Sequence, residues 1–528
     1  GFRIITLVND IKPGEEPDAQ TMKSMHAPAG ITRDPAFAKP APVAAASQYA
    51  EQLAALRRVS RERELGVPIH YTIDQEGSGS DDMLGGTRLF PHPMGLAASG
   101  DPTLAYRVAK SIGLQARSIG ANMIHSPVLD VNTNPRNPEI GTRAYSDNAG
   151  TVAEYALQTL KGLLETGMIA TGKHFPGRGE SMADAHWGLP TVDLDYETLM
   201  REHIEPYKAL IAAGLPAIMS AHSLYPALGE TERPSSMSRK IITDFLRGEL
   251  GFEGVITTDN MMMGGILKQY EMSEAIVQTL IAGNDLILCR DESPIRYKIL
   301  DAVKQAIIDK RLPEAEVDRK VARILGMRWD MGLAEDDAGF DPAGADAVRN
   351  DPEVIAVANE SAEKSVLLLR DNDGLLPLDR TARVLLVEQV FPTQASCNNM
   401  YSHPGLLWEE MCKLSNSVGT VEIENVPTDK DRMRLRRRLA LNDFDIIVST
   451  NYYYHKAASA ISELVDECKA AGKPVAVVAN TPYEFAAPSR FGTVAVCFNP
   501  GGREQMRATA RLLFGELRPT AAAPVRLS

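Results

Sequence analysis

The chain reads as α/β, a (β/α)8 barrel followed by a smaller α/β sandwich. Three observations predict this. Over roughly the first 330 residues, short apolar and β-branched runs alternate with longer segments whose apolar residues recur at helical spacing. Polar, chemically capable residues follow almost every run: Asp74-Gln75-Glu76, Asp130, Lys173-His174, His222 and Asp259. A Gly/Pro/Asp-rich break at Asp336–Gly344 then precedes a second stretch of the same alternation.

Taken in order, strands are expected at Val67–Ile73, Met123–Val131, Met168–Thr171, Ala217–Ser220, Val255–Thr258 and Asp285–Cys289. Between them lie segments such as Tyr49-x-x-x-Leu53-x-x-Leu56, apolar at i, i+4 and i+7, one face of a helix. Parallel neighbours need a crossover, so repeated strand–helix units imply parallel strands. In a TIM-like barrel every strand C-terminus opens on one face, which accounts for a polar residue at each strand end. A doubly wound sheet would instead divide them across a switch point. The expected boundaries are a catalytic barrel over 1–335, a linker over 336–350 and an α/β sandwich over 351–528. In the sandwich, strands are expected at Val384–Val387, Asp445–Val448, Val475–Ala479 and Val494–Phe498, with helical segments such as Ile461–Ala471 between them. No internal repeat is visible, and Pro40–Ala46 is a short Ala/Pro tract.

Composition sets limits on function. At 528 residues the chain is too long for one ordinary core. Its 44% hydrophobic and 24% charged content is that of a globular protein. A net charge of −13 argues against a nucleic-acid partner, and no apolar run is long enough for membrane insertion. Cys289, Cys397, Cys412, Cys468 and Cys497 are dispersed, which suggests buried thiols rather than a disulfide frame or zinc site. The opening Gly1–Val8 reads as the middle of an element, so a natural start, with any targeting segment, is expected to have preceded it; the cytoplasm is slightly favoured. Oligomeric state is open.

The richest stretch is Lys173-His174-Phe175-Pro176-Gly177-Arg178-Gly179, followed by Asp184-Ala185-His186. Polar groups at the end of a buried strand are costly unless paired or used, so this reads as an active-site loop. Asp259 ends the turn–strand run Gly251–Thr258; it either caps a following helix or attacks an anomeric carbon to form a covalent glycosyl intermediate. His186 suits a proton donor, with an ordinary pKa of about 6.5. Asp184, two residues away, could hold one ring nitrogen and fix the tautomer, unless the two form a mere surface pair. Lys173, His174 and Arg143 offer donors to sugar hydroxyls, and Asp74 and Asp130 offer acceptors or internal braces.

These motifs resemble glycoside hydrolase family 3. The resemblance rests on Asp74-Gln75-Glu76-Gly77, Pro127-Val128-Leu129-Asp130-Val131-Asn132, Lys173–Gly179 with Asp184-x-His186, and Gly254-Val255-Ile256-x-x-Asp259. The Asp-x-His pair is similar to the β-N-acetylglucosaminidase (NagZ-type) branch. Ser365–Leu369, Gly374–Leu378 and Leu513–Glu516 extend the likeness into the second domain. It implies a retaining mechanism with Asp259 as nucleophile, His186 as acid/base and Asp184 as its partner. Asp74, Arg143, Lys173 and His174 then fall where sugar-binding residues occur; Asp130, Arg178 and His222 are expected to join them in substrate binding, with a small carbohydrate or glycoconjugate as substrate and no cofactor or metal. The sequence also departs from the pattern. Arg178 stands where that branch commonly has His. Gly77–Asp82 replaces a Gly-Gly turn, Asn260 replaces a frequent second Asp, and Thr257 and Thr258 replace a Ser neighbourhood.

The expected activity is exo-acting release of terminal β-N-acetylglucosamine. Neighbouring readings are a β-glucosidase, a dual-specificity enzyme or a phosphorylase, since a neutral His repels phosphate less than a carboxylate would. From other classes, a metal-dependent barrel hydrolase could use His174, Asp184, His186 and His222, but it usually shows an early His-x-His. A non-catalytic sugar binder would need neither Asp259 nor His186. The loop Cys397–Gly405 is either a surface loop or a cover for the leaving-group site.

Overall fold

Six parallel strands follow one another in chain order and carry the candidate site on their C-terminal ends. The computed structural model describes residues 2–3, 44–67, 69–77, 82–83, 85–289, 295–332, 340–390, 405–424, 427–453 and 458–527. The strands are β1 (Phe2–Arg3), β2 (Tyr71–Ile73), β3 (Met123–Ile124), β4 (Ile169–Phe175), β5 (Ala217–Ser220) and β6 (Val255–Thr258). Registers run Thr72↔Met123, Met123↔Ile169, Thr171↔Ala217 and Ala217↔Val255. The β4–β5 register shifts between Lys173 and Phe175, where polar side chains leave the strand. Beyond β6, Leu286 makes a parallel bridge to Thr257 where a further strand is expected. Neighbouring Asp285 accepts from the Ile256 amide at 2.8 Å and pairs with Arg247 and Arg323, which fixes this edge.

Strands β2 to β6 are buried along their whole length, as expected of a parallel sheet covered by crossover helices. Met123, Ile169, Ala217, Val255 and Met327 form one apolar layer, to which four successive strands contribute. The crossover helix Ala149–Leu164 shows how the sequence specifies its cover. Asn148 accepts from the Thr151 amide and caps the first turn, and Val152, Tyr155, Ala156, Leu160 and Leu163 are buried at helical spacing. Each valine or leucine among them contributes about 1.5–3 kcal/mol when fully buried. The barrel strands and their helices thus form a TIM-like barrel.

The second sheet orders its strands β7-β12-β11-β10-β8-β9. These are β7 (Leu367–Asp371), β8 (Val384–Val390), β9 (Val418–Glu424), β10 (Ile446–Asn451), β11 (Val475–Ala479) and β12 (Thr493–Val496). All pairs are parallel except β12–β7. Alternate residues enter cores on opposite faces: Leu385, Val387, Ile447 and Val477 on one, Val384, Leu386, Val448 and Ala476 on the other. This is an α/β sandwich. Chain contacts separate two compact units, one containing Ala50–Glu76 and Ala105–Ala345, the other Gly77–Leu104 and Asp346–Ser528. Gly77–Leu104 directly follows Glu76, yet Met94 and Ala98 belong to the second core, and Asn499 Nδ2 donates to the Phe90 carbonyl at 2.9 Å. Residues 78–81, 333–339 and 391–404, which carry most of the remodelled turn, part of the linker and most of the Cys397–Gly405 loop, lie outside the described residues.

Candidate active site

Asp259 is the first residue beyond the buried strand β6. Its amide donates to the Ser220 carbonyl at 2.9 Å, and its Oδ1 accepts from the Asn260 amide at 2.7 Å. Its Oδ2 lies 3.2 Å from Arg178 Nη2 and 3.9 Å from His174 Nε2. Burial alone would raise the pKa of this carboxyl. Arg178, His222, His186 and the Asn260 amide outweigh burial and hold it at about 2. The group is therefore an anion with one oxygen fixed by backbone.

Three strands away, beyond β3, Asp130 organises the loop after β4. Its Oδ2 accepts from His174 Nδ1 at 2.7 Å, and its Oδ1 accepts from the Arg178 amide at 2.7 Å. Asp130 is fully buried and both oxygens are taken up inside the protein. Burial depresses the His174 pKa well below its ordinary value, so the neutral ring donates through Nδ1 and leaves Nε2 as an acceptor. Gly179 makes the loop possible: a Cβ there would sit 1.8 Å from the Val131 carbonyl oxygen. Asn137 ties the other side, donating to the Arg178 and Gly179 carbonyls while its Oδ1 receives the Glu139 and Ile140 amides.

Lys173 lies deeper, 2% exposed. Its Nζ is 2.7 Å from Asp74 Oδ1 and 2.5 Å from Glu76 Oε1. Arg143 grips Glu76 with two bonds of 2.9 Å, and His125 Nδ1 approaches Asp74 at 3.4 Å. Burial pushes Glu76 up, but Arg143 and Lys173 bring it down to about 2. The pair of cations and the pair of carboxylates thus balance as a buried network, with donors and acceptors alternating along one wall.

The Asp184-x-His186 turn folds as the spacing suggests. Asp184 Oδ1 accepts from the His186 amide at 2.8 Å and bonds its Nδ1 at 2.7 Å. Nδ1 thus faces a carboxylate, and Nε2 is left to exchange a proton. Burial lowers the imidazole pKa, but the Asp184 bond and the charges of Glu139, Asp184 and Asp259 raise it overall. The turn is docked on the segment that follows Asp259. Gly264 and Gly265 amides donate to the His186 and Ala185 carbonyls at 3.1 and 2.9 Å, and Lys268 Nζ donates to the Trp187 carbonyl at 2.6 Å.

The structure thus gathers Asp259, His174, Arg178, Asp184 and His186 around one point and sets Lys173, Asp74 and Arg143 in the adjoining network. His222 stands behind Asp259. Its Nε2 donates to the Asn260 carbonyl at 3.2 Å, so Nδ1 accepts from Ser236 Oγ at 2.8 Å. Burial lowers its pKa to about 4, which keeps it neutral. Arg178, 1% exposed, points its Nη2 at two carboxylates. The second of these, Glu139, was not singled out by motif, nor was Glu76 assigned a role beyond its motif. A buried arginine demands a counter-charge, and that demand is the only sequence signal for Glu139.

Ligand atoms of Glu139, Asp184 and His186 lie within 4.8 Å of one another, a spacing that could hold a cation. They do not fit one, because Arg178 Nη2 sits 2.7 Å from Glu139 Oε1 and Nδ1 of His186 is bonded to Asp184. The trio is an internal ion-pair set.

A carboxylate at a barrel strand end, facing a carboxylate-oriented imidazole, defines a class of barrel with paired groups suited to acid/base and nucleophilic chemistry. Residues 30–327 match the family described as glycosyl hydrolase family 3 N terminal domain, and the chain belongs to that family. It is 31% identical over 366 residues to beta-hexosaminidase A of Pseudoalteromonas piscicida, covering 65% of this chain and 60% of that protein. It is 32% identical over 338 residues to a beta-N-acetylglucosaminidase/beta-glucosidase of Cellulomonas fimi, covering 61% of this chain and 58% of that protein. The chain thus spans about three fifths of the length of these curated relatives. The solved family 3 beta-N-acetylglucosaminidase from Paenibacillus sp. str. FPU-7 superposes with a TM-score of 0.84 at 31% identity, over 92% of this chain and 91% of that one.

Proposed function

We propose that this chain is an exo-acting, retaining glycoside hydrolase that releases terminal β-N-acetylglucosamine. The observation that carries this reading is the docking of the His186–Asp184 pair on the segment that begins at the ionised Asp259. The names of the relatives above support the glycone.

In the first step Asp259 Oδ attacks the anomeric carbon as the bond to the leaving oxygen breaks. His186 Nε2 gives that oxygen its proton, and a glycosyl–aspartate ester remains. In the second step neutral His186 takes a proton from water as the water oxygen attacks the same carbon. Asp259 leaves as the carboxylate and the imidazolium is restored. Asp184 holds the Nδ1–H throughout and stabilises the imidazolium. Lys173, Asp74, Arg143 and the free Nε2 of His174 supply contacts to the sugar hydroxyls. Asp130 and His222 act one layer behind, on His174 and on the Asp259–Asn260 segment.

β-Glucosidase or dual activity is the second reading, favoured by the joint name of the Cellulomonas fimi relative. Initial rates on 4-nitrophenyl β-N-acetylglucosaminide and β-glucoside, at pH 6.5 without added metal, separate the two. A rate gain from phosphate at matched ionic strength would replace hydrolysis by phosphorolysis. Failure of a slow-turnover 5-fluoro β-N-acetylglucosaminide to label the Asp259 peptide would remove the covalent mechanism.

A further inference from the structure

Glu139 touches both halves of the site. Its Oε1 is 2.7 Å from Arg178 Nη2 and 3.6 Å from His186 Nδ1, and its Oε2 accepts from the Ala185 amide at 3.3 Å. The same Arg178 nitrogen is 3.2 Å from Asp259 Oδ2. One nitrogen of this buried guanidinium therefore makes ion pairs with two carboxylates, while among the described residues Nε and Nη1 have no hydrogen-bond partner. Resting on the functional reading above, we propose that Glu139 is a positioning residue. It shares Arg178 with the nucleophile and, beside Asp184, holds the His186 ring in its proton-donating form.

The argument is one of charge balance through the reaction. When Asp259 becomes an ester it loses its negative charge. A buried guanidinium whose sole counter-ion was that carboxylate would then be stranded, at several kcal/mol. Glu139 remains as its partner, so Arg178 can keep Asp259 ionised in the resting enzyme without opposing its reaction. In the same step His186 passes from imidazolium to imidazole. The groups facing it are Asp184 on its own turn, Glu139 from the loop before Arg143, and Asp259 at the end of β6, with Arg178 beyond Glu139 and Lys268 bonded to the Trp187 carbonyl. Two carboxylates on one imidazole edge favour its cation, and Glu139 is the one that also reports the state of the nucleophile's cation. Burial and the nearby Asp184 both push the Glu139 carboxyl upward against Arg178, the mark of a carboxylate held where it is not most comfortable.

The deciding measurement is an NMR titration of isotope-labelled histidines in the full chain, with His186 assigned through His186→Gln. It needs no substrate, so it stands apart from the test of the functional reading, which is labelling of Asp259. In Glu139→Gln, with unchanged circular dichroism, the His186 midpoint is expected to fall by about half a unit or more. On whichever 4-nitrophenyl glycoside the wild type turns over, kcat is expected to fall about tenfold or more, with KM within about threefold. If Glu139→Gln does not fold, the double variant Glu139→Gln/Arg178→Gln removes both buried charges together, and its His186 midpoint is likewise expected below wild type. An unchanged midpoint in the folded variant overturns the proposal, as does a Glu139→Gln defect confined to KM.

Discussion

The Gly264 amide donates to the His186 carbonyl at 3.1 Å, so a residue five positions beyond Asp259 holds the turn that carries the proposed acid/base. The approach is close. A Cβ on Gly264 would lie 2.3 Å from that carbonyl oxygen and 3.1 Å from its carbon, both rigid backbone atoms. The two groups proposed to react are therefore positioned by one short segment, Asp259 at its start and His186 resting on its middle.

Gly264→Ala should push the His186 turn away while leaving β6 intact. Displacement of a catalytic group by about 1 Å costs on the order of 10²-fold in rate. The expected outcome is a kcat loss of that size with KM nearly unchanged, alongside a melting temperature lowered by the backbone clash. Normal kcat in a folded variant would show that the docking does not position His186.

Asp259 should be indispensable. Asp259→Ala is expected to lower kcat on the order of 10⁴-fold or more, and added azide should restore part of it as a glycosyl azide of inverted configuration. Rescue follows because the cavity left by the side chain admits a small nucleophile to the same face of the sugar. Residual activity within about tenfold of wild type would assign the nucleophile elsewhere.

The pH profile has a definite sign. The His186 pKa is raised, mainly by its Asp184 bond working against burial. Its protonated form persists to higher pH than a free imidazole, so the basic limb of kcat/KM should lie above about 6.5, with activity falling as pH rises through it. Asp184→Asn removes the charge that holds this proton and should bring the limb to lower pH, with kcat reduced about 10²–10⁴-fold. Asp259, held at about 2, sets no limb in the neutral range.

Much of this was legible in the chain. Expected strands Ala217–Ser220, Val255–Thr258 and Val475–Ala479 match the observed ones because each is a short apolar or β-branched run closed by a polar residue or turn. Asp285–Cys289 was less so. It forms a single bridge at Leu286, since Asp285 serves as an anchor for Arg247 and Arg323. β7 and β9 escaped because Leu367–Asp371 and Val418–Glu424 are half-buried edge strands with mixed polarity. The role of 93–98 in the second core could not be read locally, because Met94 meets that core only through folding. The same holds for the Arg178–Glu139 pair: motifs locate a loop, but the partner of a buried charge arrives from 39 positions away.

Lys173 tests how the buried ion-pair network beside Asp74 and Glu76 is held together. Its ammonium lies between Asp74 and Glu76, and all three are nearly or fully buried. Lys173→Met keeps the length and the apolar stem but removes the cation. Glu76 retains the two-bonded grip of Arg143, whereas the His125 approach to Asp74 is longer, at 3.4 Å. Breaking a buried pair from one side costs about 3–5 kcal/mol. Carboxylates that lose this cation should be easier to protonate in the folded state, so the deficit is expected to be greatest at neutral pH and to shrink as pH falls. Thermal melts of wild type and Lys173→Met across pH 4–8 (roughly the range spanning carboxylate and imidazole titration) check this. A melting-temperature gap that does not change with pH would mean that lost packing, rather than stranded charge, is the cause.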